Sequence, residues 1–235
     1  MSSAATYRDS GPIDDRTTKA RIRDAAIACF AEHGISETTA RKVATAAGVS
    51  PGLVMHHFGS MEGLRSACDE YVAAAIREYK HDAMSAGLDL DLLAALRGAD
   101  IASLNGYLAR VLIDDSPAVA RLVDDLVSDA EGYIQDGVEA GLLRPSSDPR
   151  GRAVVLTIWN LGALVLHRHL ARMLGVDLSD PEVLRDPSVA AYAGPIYEIY
   201  GEGIFTDAFA AQAREAFAGN AGGDQNHDAT SEELT

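Results

Sequence analysis

The chain has 235 residues, of which 47% are apolar, and a formal net charge of -15 at pH 7. That length and composition suffice for one large or two modest globular domains. The charge excludes a protein that coats nucleic acid or anionic membranes with its whole surface, because an acidic surface repels phosphate. The charge is uneven, however. Residues 1–65 carry eight Lys or Arg against seven Asp or Glu, whereas residues 66–235 carry 12 against 28.

Cysteine usage and the absence of targeting signals point to a cytoplasmic protein. Cys29 and Cys68 both fall in helical patterns, and neither has a second Cys or His at metal-ligand spacing. The first residues lack the apolar core of a signal peptide. The longest apolar stretch, residues 153–166, is shorter than the roughly 20 residues of a membrane span. We therefore predict reduced thiols, no membrane association, no metal and no cofactor.

Helical signals dominate the chain, and no run alternates with a period of two, so we predict an all-α fold. Residues 1–16 and 218–235 lack apolar periodicity, and we predict that they form a disordered arm and a disordered tail. Start and stop residues then predict helices at 17 or 18 to 34, 39–48, 50–58, 60–87, 88–97, 101–114, 116–141, 148–175 and 194–217, with a short turn at 180–181.

The second and third predicted helices are joined by Gly48 and Val49 alone, which is the spacing of a helix-turn-helix motif. Glycine is free to adopt the positive φ that such a turn needs. One face of these helices is apolar and is predicted to pack against the first helix; it comprises Val43, Ala44, Ala47, Val49, Leu53, Val54 and Phe58, opposite Ile22, Ala26 and Phe30. An ordinary helical corner, without DNA binding, is the alternative interpretation.

The polar face of this segment carries the cations that DNA recognition needs. A helix-turn-helix presents the start of its second helix to base edges, while neighbouring cations and hydroxyls hold phosphates. Arg41 has the forked guanidinium that pairs with guanine O6 and N7. The predicted DNA-binding residues are Thr39, Arg41, Lys42, Ser50, Pro51, Gly52, His56, His57 and Ser60.

The segment TTARKVATAAGVSPGLVMHHFGSMEGL, with the preceding IRDAAIACFAEHGISE, resembles the DNA-binding head of the tetracycline-repressor (TetR) family of bacterial regulators. The resemblance covers residues 17–66 and lies in the order Phe-x-x-x-Gly, Thr-Thr, Ala-Gly-Val-Ser, His-Phe and Ser-x-Glu-x-Leu. It implies a helix-turn-helix domain at 17–60 and a helical effector-binding and dimerisation domain at 61–217. Two positions depart from the family: Met55 replaces its usual tyrosine and Met61 its usual lysine. Both usual residues touch phosphate, so we expect weaker backbone contacts.

The acidic C-terminal part shows no catalytic arrangement. Its serines lack a Gly-x-Ser-x-Gly context, and no glycine-rich phosphate loop occurs. His167 and His169 are two residues apart, about 200° around a helix, and cannot share a metal ion there. We therefore predict that the chain is not an enzyme. An all-α enzyme remains an alternative that would need a catalytic cluster.

The predicted helix at 149–174 is apolar nearly all round between Ala153 and Leu166. Such a helix must be covered on every side, and a second copy of the chain is the simplest cover. Together with residues 195–217 it is predicted to form a four-helix interface about a twofold axis, as the resemblance also implies. A central core helix in a monomer is the alternative.

Residues 61–141 are expected, from the resemblance, to enclose an effector cavity. Each candidate lining residue places an aromatic, apolar or isolated polar group on a helix; the set is Tyr107, Val111, Leu126, Tyr133, Trp159, Asn160 and His167. Such a set suits a largely apolar effector with one or two hydrogen-bonding groups. For each residue alone, core packing or a dimer contact is the alternative.

Together these patterns predict a homodimeric repressor that binds a pseudo-palindromic, double-stranded DNA operator and responds to a small effector. The effector must prefer a head spacing that does not fit DNA. The main alternative is a helical protein that binds small molecules and whose head has reduced or lost DNA affinity, for which Met55 and Met61 are the evidence.

Overall fold

The computed structural model describes residues 12–86, 101–180 and 182–221, with side chains described except at 12–16, 101–103 and 216–221. Within these ranges every regular element is helical, as predicted. The elements are α1 (Pro12–His33), α2 (Ala40–Ala47), α3 (Pro51–Phe58), α4 (Met61–Ser85), α5 (Ile101–Val111), α6 (Pro117–Glu139), α7 (Pro149–Val165), α8 (His167–Leu174), two 3₁₀ turns (Val183–Arg185 and Pro187–Val189), α9 (Ala190–Gly201) and α10 (Asp207–Ala221). The predicted helix at 88–97 and most of the predicted disordered arm and tail lie outside the described residues.

The chain divides into two compact units, residues 1–189 and residues 190–235. In the first unit α1 packs against α2 and α5, α4 packs against α6, and α6 packs against α7. Helix α1 is therefore shared, because it belongs to the N-terminal helical group and also contacts the helices that follow α4.

Side-chain caps begin several of the helices where the sequence predicts them. Ser60, Ser116 and Asp148 each accept a hydrogen bond from the backbone N–H three residues on, at 2.9, 3.4 and 2.8 Å. Such a cap satisfies one of the backbone donors that the first turn leaves unpaired. The predicted starts of α4, α6 and α7 are therefore confirmed.

The first helix begins earlier than predicted. It starts at Pro12, so residues 12–16 are helical, whereas their sequence predicted a disordered arm. Proline suits the first helical position because its missing N–H has no intrahelical partner there. The acidic Asp14 and Asp15 also interact favourably with the positive end of the helix dipole. These start signals outweigh the low apolar content of the arm.

The single helix predicted at 148–175 is two helices, α7 and α8, which meet at a bend of 71°. Leu166 lies at the bend with φ -95° and ψ 15°. Beyond the bend, His167 Nδ1 lies 2.8 Å from Asp177 Oδ1 and 3.1 Å from Ser179 Oγ. These partners are ten and twelve residues further along the chain, so no local pattern predicted the bend.

The predicted helix at 194–217 is also divided. Helix α9 begins at Ala190 and contains Pro195, while α10 begins at Asp207 and continues to Ala221. Proline normally excludes the preceding residue from helical angles by clashing with its Cβ, and Gly194 has none. Gly203 follows α9 with φ +80°, a left-handed conformation that ends a helix.

Among the described residues no single helix is long and apolar enough to cross a membrane. Helices α7 and α8 meet that criterion only when they are taken together across their bend, and then by length and composition alone.

Candidate nucleic-acid interface

The connection between α2 and α3 has the geometry of a helix-turn-helix. Thr39 accepts a hydrogen bond from the Lys42 N–H over 3.3 Å and so caps α2. Gly48 ends α2 at φ 65° and ψ 37°, in the left-handed region, and the Val49 N–H donates to the Ala44 carbonyl over 2.9 Å. A glycine in this conformation avoids the steric cost that a Cβ would bring. The predicted two-residue turn is confirmed.

The core of the three-helix head consists of the predicted residues. Buried side chains from all three helices meet there: Ile22, Ala26, Phe30, Val43, Ala44, Ala47 and Val54. Val49, Leu53 and Phe58 are half-buried at its edge. Because this apolar core fixes the rotation of α2 and α3, their polar side chains face away from it.

Two cations are exposed on α2. Arg41 and Lys42 are exposed, and neither forms an ion pair with an acidic side chain in the described ranges. Their charges are therefore available to a polyanion. On α3, Pro51, Gly52 and His56 are exposed, and His57 is half-buried with its ring 6.3 Å from the Phe58 ring.

Three of the predicted hydroxyl donors are also helix caps. The side-chain oxygens of Thr39, Ser50 and Ser60 accept backbone hydrogen bonds at the starts of α2, α3 and α4. All three residues are exposed, and each hydroxyl keeps its proton for donation. The structure therefore places the nine predicted DNA-binding residues on α2, α3 and the caps of three helices.

Two features of the head were not predicted from the sequence. Lys19 on α1 is exposed, and its Nζ lies 5.6 Å from the centre of the Phe58 ring at the end of α3. Gly63 lies so close to the Phe58 carbonyl that a Cβ would overlap its oxygen. The lysine extends the cationic surface to α1, and the glycine permits a tight junction between α3 and α4. In the sequence, the only signal for the first feature is a lysine near a helix start, and the only signal for the second is a glycine near a helix start.

A polar network, buried at Asp69 and Tyr107 and exposed at Asp114, ties α4 to α5 and to the loop before α6. Asp69 accepts a hydrogen bond from the Tyr107 hydroxyl over 2.5 Å, and Arg65 donates to Asp114 over 3.1 Å while its Nε lies 3.8 Å from Asp69. Burial raises the pKa of Asp69, opposed by the hydrogen bond from Tyr107 and the charge of Arg65. Burial and the neighbouring Asp69 carboxylate also raise the pKa of Tyr107. Within this network, burial therefore disfavours the ionised form of Asp69.

The structure does not bring the seven predicted effector-binding residues together. Tyr107, Val111 and Leu126 are buried, and Tyr133 packs beside the cluster of Ala130, Ile134 and Ala153. Trp159 is 59% exposed, and Asn160 is exposed and donates to the Leu156 carbonyl over 2.7 Å. His167 lies beyond the bend at Leu166, at the start of α8, whereas Asn160 lies on α7.

The described residues contain no group of three His, Cys, Asp or Glu side chains placed to hold a metal ion. Cys29 and Cys68 are both buried thiols. Burial raises the pKa of the Cys68 thiol to about 12, which keeps that side chain in its unreactive neutral form.

Comparisons with known proteins agree with this geometry. Residues 22–68 match the family model described as bacterial regulatory proteins of the tetR family, and residues 100–206 match that of the tetracyclin repressor-like C-terminal domain. A regulator from Mycobacterium tuberculosis, the HTH-type transcriptional regulatory protein RaaS, is 38% identical over 214 residues, which cover 87% of this chain and 97% of that protein. The probable acrEF/envCD operon repressor of Escherichia coli K12 is 33% identical over 94 residues, covering 40% of this chain and 42% of the repressor.

Solved structures share the fold. SmeT, the repressor of the Stenotrophomonas maltophilia multidrug efflux pump SmeDEF, matches with a TM-score of 0.51 and 25% identity, over 76% of this chain and 91% of SmeT. Reduced NemR of E. coli matches in fold with a TM-score of 0.54 and 19% identity, over 78% of this chain and 97% of NemR. A helix-turn-helix head on a larger helical body thus defines a DNA-binding transcriptional regulator. The chain belongs to the TetR family of bacterial regulators.

Proposed function

We propose that this protein is an effector-responsive repressor that binds a pseudo-palindromic DNA operator as a homodimer. The observation that carries the proposal is the exposed face of α2, where Arg41 and Lys42 form no ion pair within the described ranges. In a chain of net charge -15, exposed cations on a helix-turn-helix suit that face to contact a polyanion. Helix α3 then enters the major groove, and α2 and the helix caps hold the flanking phosphates.

A homodimer is supported by the outer face of α7. Val154, Val155, Ile158 and Trp159 are all exposed there, at 38%, 45%, 49% and 59% of their full area. Contiguous exposed apolar side chains of this size mark an interaction surface. A second copy of the chain can cover the face by twofold symmetry, since each α7 presents the same residues to its partner. A twofold dimer presents two heads to two half-sites, which is why the operator is proposed to be palindromic.

Repression, rather than activation, is supported by two relatives that are named as repressors. SmeT is the repressor of a multidrug efflux pump, and the E. coli relative is a probable operon repressor. A repressor of this type releases DNA when an effector favours a head arrangement that does not fit the operator. Helix α4 follows the head directly, and α1 contacts α5, so both helices connect the head to the rest of its unit.

Selection from a random pool of duplex DNA with the full-length protein tests the proposal. We expect enrichment of a palindrome whose half-site centres lie about one helical turn apart, or a multiple of it. If the wild type enriches no sequence, whether or not an effector is present, the proposal is contradicted. A Met55→Tyr/Met61→Lys variant that then enriched a palindrome would identify the protein as a small-molecule binder whose head has lost DNA affinity.

A further inference from the structure

A cavity of about 550 Å³ lies between α1 of the head and α5. Helix α1 contributes Ala28 and Ala31 to its wall, and α5 contributes Gly106 and Ala109. We call it the α1–α5 cavity. Its volume falls within the range of small-molecule pockets in proteins, and neither the DNA interface nor the exposed face of α7 uses it.

The small residues on the two helices account for the shape of this cavity. Gly106 lies close to α1, since an added Cβ would be 3.6 Å from Ala31 Cβ and 3.5 Å from the Ser179 carbonyl oxygen. Ile27 of α1 and Leu104 of α5 add larger apolar groups to the wall. The two helices thus touch at Gly106 and Ala31, and the cavity lies beside this contact with an apolar wall at Ile27 and Leu104.

Arg110 lies in the wall of the cavity, and its side chain has hydrogen-bond donors that no described residue of the protein uses. Its Nε donates to the Ala31 carbonyl over 3.2 Å, and the guanidinium forms no ion pair with any acid in the described ranges. The Nη groups therefore remain able to bind a carboxylate, for which the guanidinium fork is well matched. The half-buried position of Arg110 strengthens such a contact, because water competes less there.

His167 adds a second polar group to the wall, next to Ser179. His167 Nδ1 lies 2.8 Å from Asp177 Oδ1, so this nitrogen carries the proton that the carboxylate accepts. Nε2 has no hydrogen-bond partner in the described part of the chain, and the side chain is 14% exposed. The histidine is thus held in place by its neighbours and keeps one nitrogen for a ligand.

The acidic residues of the cavity lie at its mouth. The Asp24 side chain is 59% exposed and pairs with Arg23 over 2.7 Å, and the Glu32 side chain is 77% exposed beside His33. Their charges are screened by water and by the neighbouring Arg23. Arg110 is therefore the more buried charged group, and a bound carboxylate would meet it first.

We propose that the α1–α5 cavity binds a small apolar carboxylate, with its apolar part against the walls formed by α1 and α5 and its carboxylate on Arg110. Such a ligand contacts the head through α1 and the body through α5 at the same time. Its binding therefore favours one orientation of α1 relative to α5 and changes the affinity for DNA. That second effect rests on the proposed function above, whereas binding itself does not.

Titration calorimetry of the full-length protein without DNA tests the site, with 2-naphthoate as the probe. The neutral 2-naphthamide and the cationic 2-naphthylmethylammonium serve as matched probes of the same ring size. We expect 2-naphthoate to bind at about one molecule per chain and about tenfold or more tightly than either analogue, since a charge-assisted contact is lost. Absence of naphthoate binding at millimolar concentration, or preferential binding of the cation, would overturn the proposal.

Three variants locate the binding. Arg110→Met removes the guanidinium, and Ala28→Met fills the cavity from the exposed side of α1 without removing a hydrogen bond. Arg150→Met is the control, because it removes the same charge from a surface ion pair with Glu131. Both cavity variants should lose about tenfold or more in naphthoate affinity, and the control should retain it. Unchanged affinity in folded Ala28→Met would exclude this cavity.

The effect on DNA is measured separately with the operator obtained by selection. Saturating operator should change the affinity for 2-naphthoate by the same factor by which 2-naphthoate changes the affinity for operator. Calorimetric binding without any such coupling would overturn the proposed coupling and leave the binding site standing. Failure to select an operator would contradict the proposed function alone.

Discussion

The Tyr107 hydroxyl of α5 donates a hydrogen bond to the Asp69 carboxylate of α4 over 2.5 Å, and both side chains are buried. Asp69 lies two turns after the start of α4 and therefore close to the DNA-binding head. Arg65, one turn earlier, pairs with Asp114. The hydrogen bond between Tyr107 and Asp69 therefore joins α4, which follows the head, to α5, which packs on α1.

The Asp69 carboxyl should make stability depend on pH. Burial raises its folded-state pKa above the ordinary value of 3.8, so the folded protein binds this proton more tightly than the unfolded chain does. Its stabilising contribution is therefore greatest below pH 3.8 and is lost as pH rises through the raised pKa. We expect the free energy of unfolding of the wild type, minus that of Asp69→Asn, to fall over this interval in urea titrations.

Asp125→Asn is the control for this measurement, because Asp125 is an exposed carboxylate on α6. The free energy of unfolding of the wild type, minus that of Asp125→Asn, should show no such fall with rising pH. A wild type that gained stability relative to Asp69→Asn as pH rose would show that Arg65 and Tyr107 outweigh burial at Asp69.

Two glycines of the head should respond in opposite directions to the same change. A Cβ at Gly63 would overlap the Phe58 carbonyl oxygen, whereas at Gly52 it would come no closer than 3.9 Å to Ser50 Oγ. We expect Gly63→Ala to destabilise the protein by about 1–3 kcal/mol through overpacking. Gly52→Ala should stabilise it by about 0.5–1 kcal/mol, since alanine favours helix. Thermal and urea unfolding of both variants measures these differences.

Gly52→Ala should nevertheless weaken operator binding, because Gly52 is exposed at the start of α3, where the helix backbone is proposed to approach DNA. Fluorescence anisotropy with labelled operator measures this effect. A variant that is more stable and binds with unchanged affinity would show that the start of α3 leaves room for a methyl group at the DNA.

The α7 face should control assembly. Ile158 is 49% exposed, and Ile158→Glu would place a charge in the proposed dimer interface, where an unpaired charge is costly. Native mass spectrometry at micromolar concentration should show a dimer for the wild type and a monomer for the variant. Ile113→Glu is the control, since Ile113 is 66% exposed outside this face, and it should remain dimeric. A folded wild-type monomer would contradict the proposed interface.

Local chemistry allowed most of the head to be predicted from the sequence. The caps Thr39, Ser50 and Ser60 and the turn at Gly48 depend on neighbours within four residues, and the structure contains all of them. The apolar face of α2 and α3 follows from helical periodicity, because a helix places every third or fourth residue on one side.

Features that depend on distant residues were not predictable in the same way. The bend at Leu166 accompanies contacts of His167 with Asp177 and Ser179, and the Tyr107–Asp69 pair joins positions 38 residues apart. Trp159 was predicted to line a cavity because it is an aromatic group on an otherwise apolar helix, and the structure places it at an exposed position on α7. Periodicity identifies an apolar helix, but it does not say which face its own chain covers.

The central claim is that the exposed face of α2 and α3 recognises DNA. It is tested most directly by measuring how tightly the wild type, Arg41→Ala and His57→Ala bind DNA. Each protein is measured with the selected duplex and with a scrambled duplex, at several salt concentrations. Arg41→Ala should cost about 1–3 kcal/mol on the selected duplex and relax the choice at one base pair per half-site. His57→Ala should weaken binding to both duplexes equally, because a phosphate contact carries no sequence information. If Arg41→Ala instead leaves the ratio of selected to scrambled affinity unchanged, Arg41 does not read a base. If both variants bind each duplex as the wild type does, this face does not contact DNA.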